Sequence, residues 1–244
     1  MSLNPKIIKS RFEKSLDKYN DNATVQKKMA IELCDALISF KNEFENVIEL
    51  GCGAGLLTSE LSKRIKFKNY FANDITKKAN IYIKNIIPNA DFILGNALKI
   101  NTAKKFDLVI SNAMFQWLNL SDIFNKCVSL NKKDGILAFT TFTSGNFEEF
   151  TKNSGLGLDY KSKSEILNTF TKQYELLYCR EFEEKLEFSN PLEMLLHMKN
   201  TGVNSLGNKD WGIKEIKEFC ENMNKGYEKI TLTYKPIIII FKKL

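Results

Sequence analysis

No apolar run in this chain is long enough to cross a bilayer. The longest unbroken aliphatic stretch, Ile237 to Phe241, falls far short of the roughly 20 residues that a helical span requires. The opening Met1-Ser2-Leu3-Asn4 carries no basic segment followed by an apolar one, so no secretion signal is expected. Cys34, Cys52, Cys127, Cys179 and Cys220 are odd in number and far apart, which suits neither a disulfide framework nor paired zinc ligands. The expectation is a cytoplasmic protein with reduced thiols and no metal. Arginine is limited to Arg11, Arg64 and Arg180, and the lone histidine, His197, sits beside Leu195, Leu196 and Met198, where it reads as packing rather than as a general base. There is no internal repeat and no low-complexity linker.

What remains is an ordinary globular composition. The 244 residues are 43% hydrophobic and 27% charged, enough for one α/β domain with an elaborated cap. The net charge of +7 comes mainly from scattered lysines and is compatible with an acidic protein partner, a nucleotide or a nucleic acid.

From Asn46 onward, short β-rich runs alternate with helical stretches, the pattern of parallel strands joined by crossover helices. Strands are predicted at Val47–Leu50, Tyr70–Asn73, Asp91–Leu94, Phe106–Ser111 and Ile136–Phe142. Leu57, Leu61 and Ile65 mark the buried stripe of the first crossover helix. Two amphipathic segments, Ile7–Tyr19 and Val25–Phe40, precede the sheet as a helical preface that can form a lid. Beyond Phe142 the pattern predicts short helices, one solvent-touching strand over Tyr174–Phe188, helices near Pro191–Asn200 and Ile213–Lys225, and two strand-like runs flanking Pro236. That proline implies a bulge or a strand edge. The expected architecture is a seven-stranded, mostly parallel Rossmann-like sheet with one antiparallel strand and helices on both faces. It divides into an N-terminal lid (1–45), a core (46–143), a cap (144–212) and a C-terminal helix and strand (213–244).

The strongest local signal is Val47-Ile48-Glu49-Leu50-Gly51-Cys52-Gly53-Ala54-Gly55, a strand ending in an acid and then a glycine turn that lets backbone approach a ligand. A dinucleotide site would want glycine or alanine where Leu56 stands, which weakens the nicotinamide reading. Asp74, at the second strand's tip, is placed to accept hydrogen bonds from two ribose hydroxyls. The fourth strand leads into Ser111-Asn112-Ala113-Met114-Phe115-Gln116-Trp117, which has neither the Pro-Pro-aromatic nor the Pro-Cys sequence of enzymes that methylate flipped bases.

The glycine turn resembles motif I of the class I methyltransferases. Gln116-Trp117, Arg11-Phe12, Tyr19-x-x-x-Ala23-x-x-Gln26, Phe142 to Glu149, Pro191-Leu192 and Met198 to Asn204 together resemble the malonyl-acyl-carrier-protein O-methyltransferases of biotin synthesis, the BioC family. The resemblance runs from about residue 11 to 205. It implies S-adenosylmethionine as methyl donor and S-adenosylhomocysteine as product. Glu49 would organise the turn near the donor's amino-acid portion, Gly51, Cys52, Gly53 and Gly55 would face the donor itself, Asp74 would hold its ribose, and Asn96 and Ala97 would meet its adenine, with Ile75, Asn112, Tyr19 and Gln26 also in the site. The family usually carries aspartate where Asn96 stands, though an amide oxygen still accepts the adenine hydrogen bond. By the same resemblance Tyr19 belongs to a lid, and Gln116 lines the acceptor pocket.

The implied acceptor is the free carboxylate of a malonyl thioester on an acyl carrier protein. It needs alignment rather than a base, because it is already ionised near neutral pH. Phe115, Trp117 or Tyr19 could face the sulfonium, and Lys199 and Arg180 are candidates to clamp the carboxylate. Lys27, Lys28, Lys161 and Lys163 could meet an acidic carrier. A monomer or weak dimer is expected, with no membrane and no nucleic-acid partner. The rival readings are a small carboxylic acid or quinone-type acceptor, and a non-catalytic protein that only binds the donor.

Overall fold

The computed structural model describes residues 5–203 and 211–244. Met1 to Asn4 and Asn204, at the end of the late motif, lie outside the described residues, as does the rest of 204–210 within the expected cap.

Strands β1 (Glu43–Leu50), β2 (Lys66–Asp74), β3 (Asp91–Leu94), β4 (Phe106–Ser111), β5 (Asn131–Phe142), β6 (Tyr174–Glu181) and β9 (Pro236–Lys243) form one seven-stranded sheet. Its order is β3-β2-β1-β4-β5-β9-β6. Neighbours from β3 to β5 pair in parallel, and β9 runs antiparallel to both β5 and β6. The Rossmann-like, mostly parallel sheet with one reversed strand is therefore the observed fold. Adjacent strand residues point to opposite faces. Val47, Leu108, Ile238 and Ile240 pack with Leu33 and Leu37 of α2 (Thr24–Ile38) and Leu57 and Leu61 of α3 (Leu56–Ser62). Ile48, Val109, Ile237 and Ile239 pack on the other face with Ile123 and Cys127 of α5 (Leu120–Leu130) and Phe170 of α7 (Lys163–Phe170). Covered on both sides, Ile237–Phe241 has no accessible surface, which is why it reads as a continuous aliphatic run.

The strand predicted over Tyr174–Phe188 is two strands in different sheets. After β6 the chain turns at Phe182, whose N–H donates to the Pro236 carbonyl at 3.1 Å. It then forms β7 (Glu184–Phe188), which pairs antiparallel with β8 (Ile230–Tyr234) in a separate ribbon. Both strands touch solvent on one side, so a single alternating pattern runs through the break, and neither glycine nor proline marks it. Pro236 is the first residue of β9, and the chain changes sheets there instead of bulging.

Met194 and Met198 of α8 (Pro191–Asn200) and Phe219 and Met223 of α9 (Ile213–Gly226) pack on Leu232 and Tyr234 of the ribbon. The first helix, α1 (Pro5–Asn22), rests against α8. Gly202, left-handed at φ +73°, lies under Phe12, and a methyl group there would stand 2.8 Å from the phenyl ring and 3.1 Å from Ser15 Oγ. Gly202→Ala is expected to destabilise by about 1–3 kcal/mol through this overlap. Thermal denaturation should give a Tm lower by several degrees, with earlier proteolysis within α1.

Candidate functional site

Three strand tips converge beside α1. At the end of β1, Gly51 and Cys52 donate their N–H groups to the Asn73 carbonyl at 2.8 and 3.0 Å. The Gly53 N–H donates to Asp74 Oδ2 at 2.9 Å, so the turn is sewn to β2. Gly53 has φ +51°, and a Cβ added there would meet nothing within 4 Å. Asp74 Oδ1 accepts from both the N–H and the Oγ1 of Thr76, each at 2.7 Å. Asn73 Nδ2 donates to the carbonyls of Ile93 and Gly95, fixing the tip of β3.

These tips floor a cavity of about 180 Å³. Its roof is α1, which presents Ile8, Phe12, Leu16 and Tyr19, a stripe at helical spacing. Three polar contacts join the helix to the cavity's floor and the helix beside it. Asn20 Nδ2 donates to the Ala54 carbonyl at 3.1 Å, Lys78 Nζ stands 2.5 Å from Asp17 Oδ2, and the Tyr82 hydroxyl donates to the same carboxylate.

Glu49 lines this cavity at 1% exposure. Burial pushes its carboxyl up to about 7; hydrogen bonds from Thr58 Oγ1 (2.6 Å) and the Tyr70 hydroxyl oppose that shift, while nearby Asp74 adds to it. Two carboxyl groups facing one cavity make it a place for positive charge. At the tip of β4, Asn112 is held on both sides: its Nδ2 donates to the Gln26 carbonyl at 3.1 Å and its Oδ1 accepts from Thr140 Oγ1 at 2.6 Å. Ala113 follows at φ +51°, a conformation rare outside glycine, and its N–H is pinned by Thr140.

Among the residues singled out from sequence, Tyr19, Glu49, Gly51, Cys52, Gly53, Asp74, Ile75, Asn96, Ala97 and Asn112 line this one cavity. Asn96 Oδ1 already accepts from the Leu98 N–H at 2.9 Å. Gly55 caps α3 in a left-handed conformation and does not line the cavity. Gln26 is buried at 3% exposure behind Asn112 and is likewise not on the lining. Of the three aromatics, Trp117 and Tyr19 face the cavity, whereas Phe115 is buried against Phe139 at 4.5 Å.

The two cations are not brought there. Arg180 sits on the edge strand β6, three strands from β4, and pairs with Glu32 at 2.8 Å. Lys199 is exposed in the last turn of α8. His197 Nε2 is 2.7 Å from the Tyr234 hydroxyl, and burial pushes the ring down to about 4, so it is a neutral packing group.

Gln116 faces a second cavity, of about 320 Å³, lined by Phe139, Thr141, Leu158, Tyr160 and Ile166 among others. Its amide bridges the Ala113 carbonyl (2.6 Å) and Thr141 Oγ1 (3.1 Å), bracing the turn that carries Trp117. Trp117 and Leu118 line both cavities. Sequence reasoning missed Asn73, Thr76 and Met114 on the first lining, and Thr58 and Tyr70 behind Glu49. Only Asn73, a polar residue at a strand end next to Asp74, left a readable signal.

A family model described as a methyltransferase domain matches residues 48–139. The chain is 35% identical to the malonyl-acyl-carrier-protein O-methyltransferase of Calditerrivibrio nitroreducens, over 96% of each chain. It is 32% identical to the protein of the same name from Haemophilus influenzae, over 96% of this chain and 92% of that one. Among solved structures, the YcgJ protein of Bacillus subtilis superposes with a TM-score of 0.65 at 13% identity, covering 88% of this chain and 97% of that one. The N-methyltransferase NodS of Bradyrhizobium japonicum, in complex with S-adenosylhomocysteine, gives 0.59 at 14% identity over 97% and 98%. The structural likenesses speak to the fold. The sequence identity, sustained over nearly the whole of both chains, places this chain in the malonyl-acyl-carrier-protein O-methyltransferase family.

Proposed function

We propose that the protein transfers a methyl group from S-adenosylmethionine to the free carboxylate of a malonyl thioester on an acyl carrier protein. This is the methyl-ester step that the family resemblance connects with biotin synthesis. The observation that carries the reading is the cavity between the β1 and β2 tips and the apolar stripe of α1. The donor fits its residues on three counts. Open space over Gly53 admits backbone approach, Asp74 offers a carboxylate to a diol, and Glu49 with Asp74 favours a ligand bearing positive charge.

When bound, the donor supplies an electrophilic methyl on sulfur, which the acceptor carboxylate takes while the sulfur leaves as a thioether and no proton moves. The residues of the chain align and enclose. Asp74 and Asn96 would hold the nucleoside, Glu49 and the glycine turn would hold the amino-acid end, and Tyr19 and Trp117, both on the lining, would supply aromatic rings beside the sulfonium. Phe12, edge-on to Trp117 at 5.3 Å, helps α1 exclude water. Holding the reactants in line in a closed site is the main source of rate, worth up to roughly 7–11 kcal/mol in ideal cases. Incubation with labelled donor and malonyl-carrier should place base-labile label on the carrier. Donor binding without any labelled ester would refute the reading.

Glu49 gives the cavity a pH dependence. Its raised pKa means that the ligand-free protein keeps the carboxyl protonated as pH falls through about 7, whereas a cationic donor favours the ionised form. Calorimetric titration should therefore find affinity for S-adenosylmethionine about tenfold weaker at pH 6 than at pH 8. In Glu49→Gln most of that slope should disappear.

A further inference from the structure

Glu49 is buried on the sheet face that α3 covers, and the side chains that hold it there lie behind the first cavity. It stands opposite Ala72 in the β1–β2 register, with Tyr70 two residues back on the same face of β2. Ala72 ends in a methyl group, which leaves the tyrosine room to reach the carboxylate. The Tyr70 hydroxyl donates to Glu49 Oε2, and Thr58 Oγ1, from the first turn of α3, donates to the same oxygen at 2.6 Å. Both donors are buried, and neither lines the cavity that Glu49 lines.

A carboxylate has about four lone-pair sites. Two are taken by the protein on Oε2, and among the described residues no donor reaches Oε1. A buried carboxylate is costly unless its oxygens find partners. Two donors on one oxygen and none on the other therefore point to a ligand that supplies the missing donor. We propose that Tyr70 and Thr58 are positioning residues: by gripping Oε2 they fix the Glu49 side chain so that Oε1 is the acceptor for the ammonium group of S-adenosylmethionine. The inference rests on the methyl-transfer reading only through its donor.

The same two bonds favour the charged carboxylate and so oppose the burial that pushes Glu49 up to about 7. The titratable groups around Glu49 are Tyr70 and Asp74 on β2, Cys52 in the turn and Cys34 on α2, with Tyr19 of α1 on the same lining. Burial pushes both thiols and both phenols up, so they stay neutral, and Asp74 is the neighbour whose charge Glu49 feels. Removing a donor from Oε2 should raise Glu49 further, so that its ionised form is lost first at low pH.

Tyr70→Phe and Thr58→Val each delete one donor and keep the side chain's shape. By calorimetry, each should weaken S-adenosylmethionine binding about tenfold at pH 6 but only about twofold at pH 8, as a rise of about one unit in the Glu49 pKa requires. The ligand's own titration is common to variant and wild type and cancels in that ratio. Thr58→Ser keeps the hydroxyl and should restore the wild-type profile, which decides the matter even if Tyr70→Phe folds poorly. In Glu49→Gln neither deletion should add any pH dependence. An equal loss at both pH values, no loss at either, or the same profile in Thr58→Ser as in Thr58→Val would overturn the positioning role while the donor reading stood. A wild-type protein that binds no S-adenosylmethionine would remove both.

Discussion

Asp74→Ala is expected to weaken S-adenosylmethionine binding about 100-fold or more. The carboxylate accepts three hydrogen bonds, from Gly53 N–H and twice from Thr76, out of about four lone-pair sites. One site on Oδ2 stays open for a ribose hydroxyl. The second hydroxyl can replace that of Thr76, a rotor that can turn aside. Hydrogen bonds to a charged group contribute about 1.5–3 kcal/mol each, so losing two amounts to at least about 3 kcal/mol. The substitution also frees the Gly53 N–H, loosening the turn. Asp74→Asn should fall between, since it keeps one oxygen but sets an amide donor or a weaker acceptor against Gly53 N–H. Calorimetry on folded variants checks the series, and undiminished affinity in Asp74→Ala would remove the ribose assignment.

Gly53→Val should have an effect of similar size by a different route. At φ +51° a β-branched residue is strained by roughly 1–2 kcal/mol, yet nothing lies within 4 Å to collide with its Cβ. The side chain would grow into the space assigned to the donor, so binding should be lost, about 100-fold or more, with only a modest fall in Tm. Gly51 provides the contrast. A Cβ there meets Met114 Cγ at 2.5 Å, so Gly51→Val should show its main loss in stability. Equal Tm losses in the two variants, or intact binding in Gly53→Val, would contradict the idea that the space over Gly53 is where the ligand lies.

The first half of the molecule was legible because its signals are local. Glu49, the glycines after it and Asp74 follow from strand ends and spacing, and a parallel sheet brings strand tips to one edge whatever the intervening helices do. The roof was half legible: periodicity placed Phe12, Leu16 and Tyr19 on one helix, but only tertiary packing turns that stripe over the cavity. The β7–β8 ribbon was not legible, because alternation reports a solvated face without saying which sheet owns it. Arg180 and Lys199 are candidates by charge alone, which carries no information about place.

A crystal structure with S-adenosylhomocysteine tests the central claim most directly. The nucleoside is expected under α1, with its ribose hydroxyls on Asp74, its adenine beside Asn96 and Ala97, and its sulfur facing Tyr19 and Trp117. A nucleoside bound elsewhere, or oriented with its adenine against Glu49, would contradict the account.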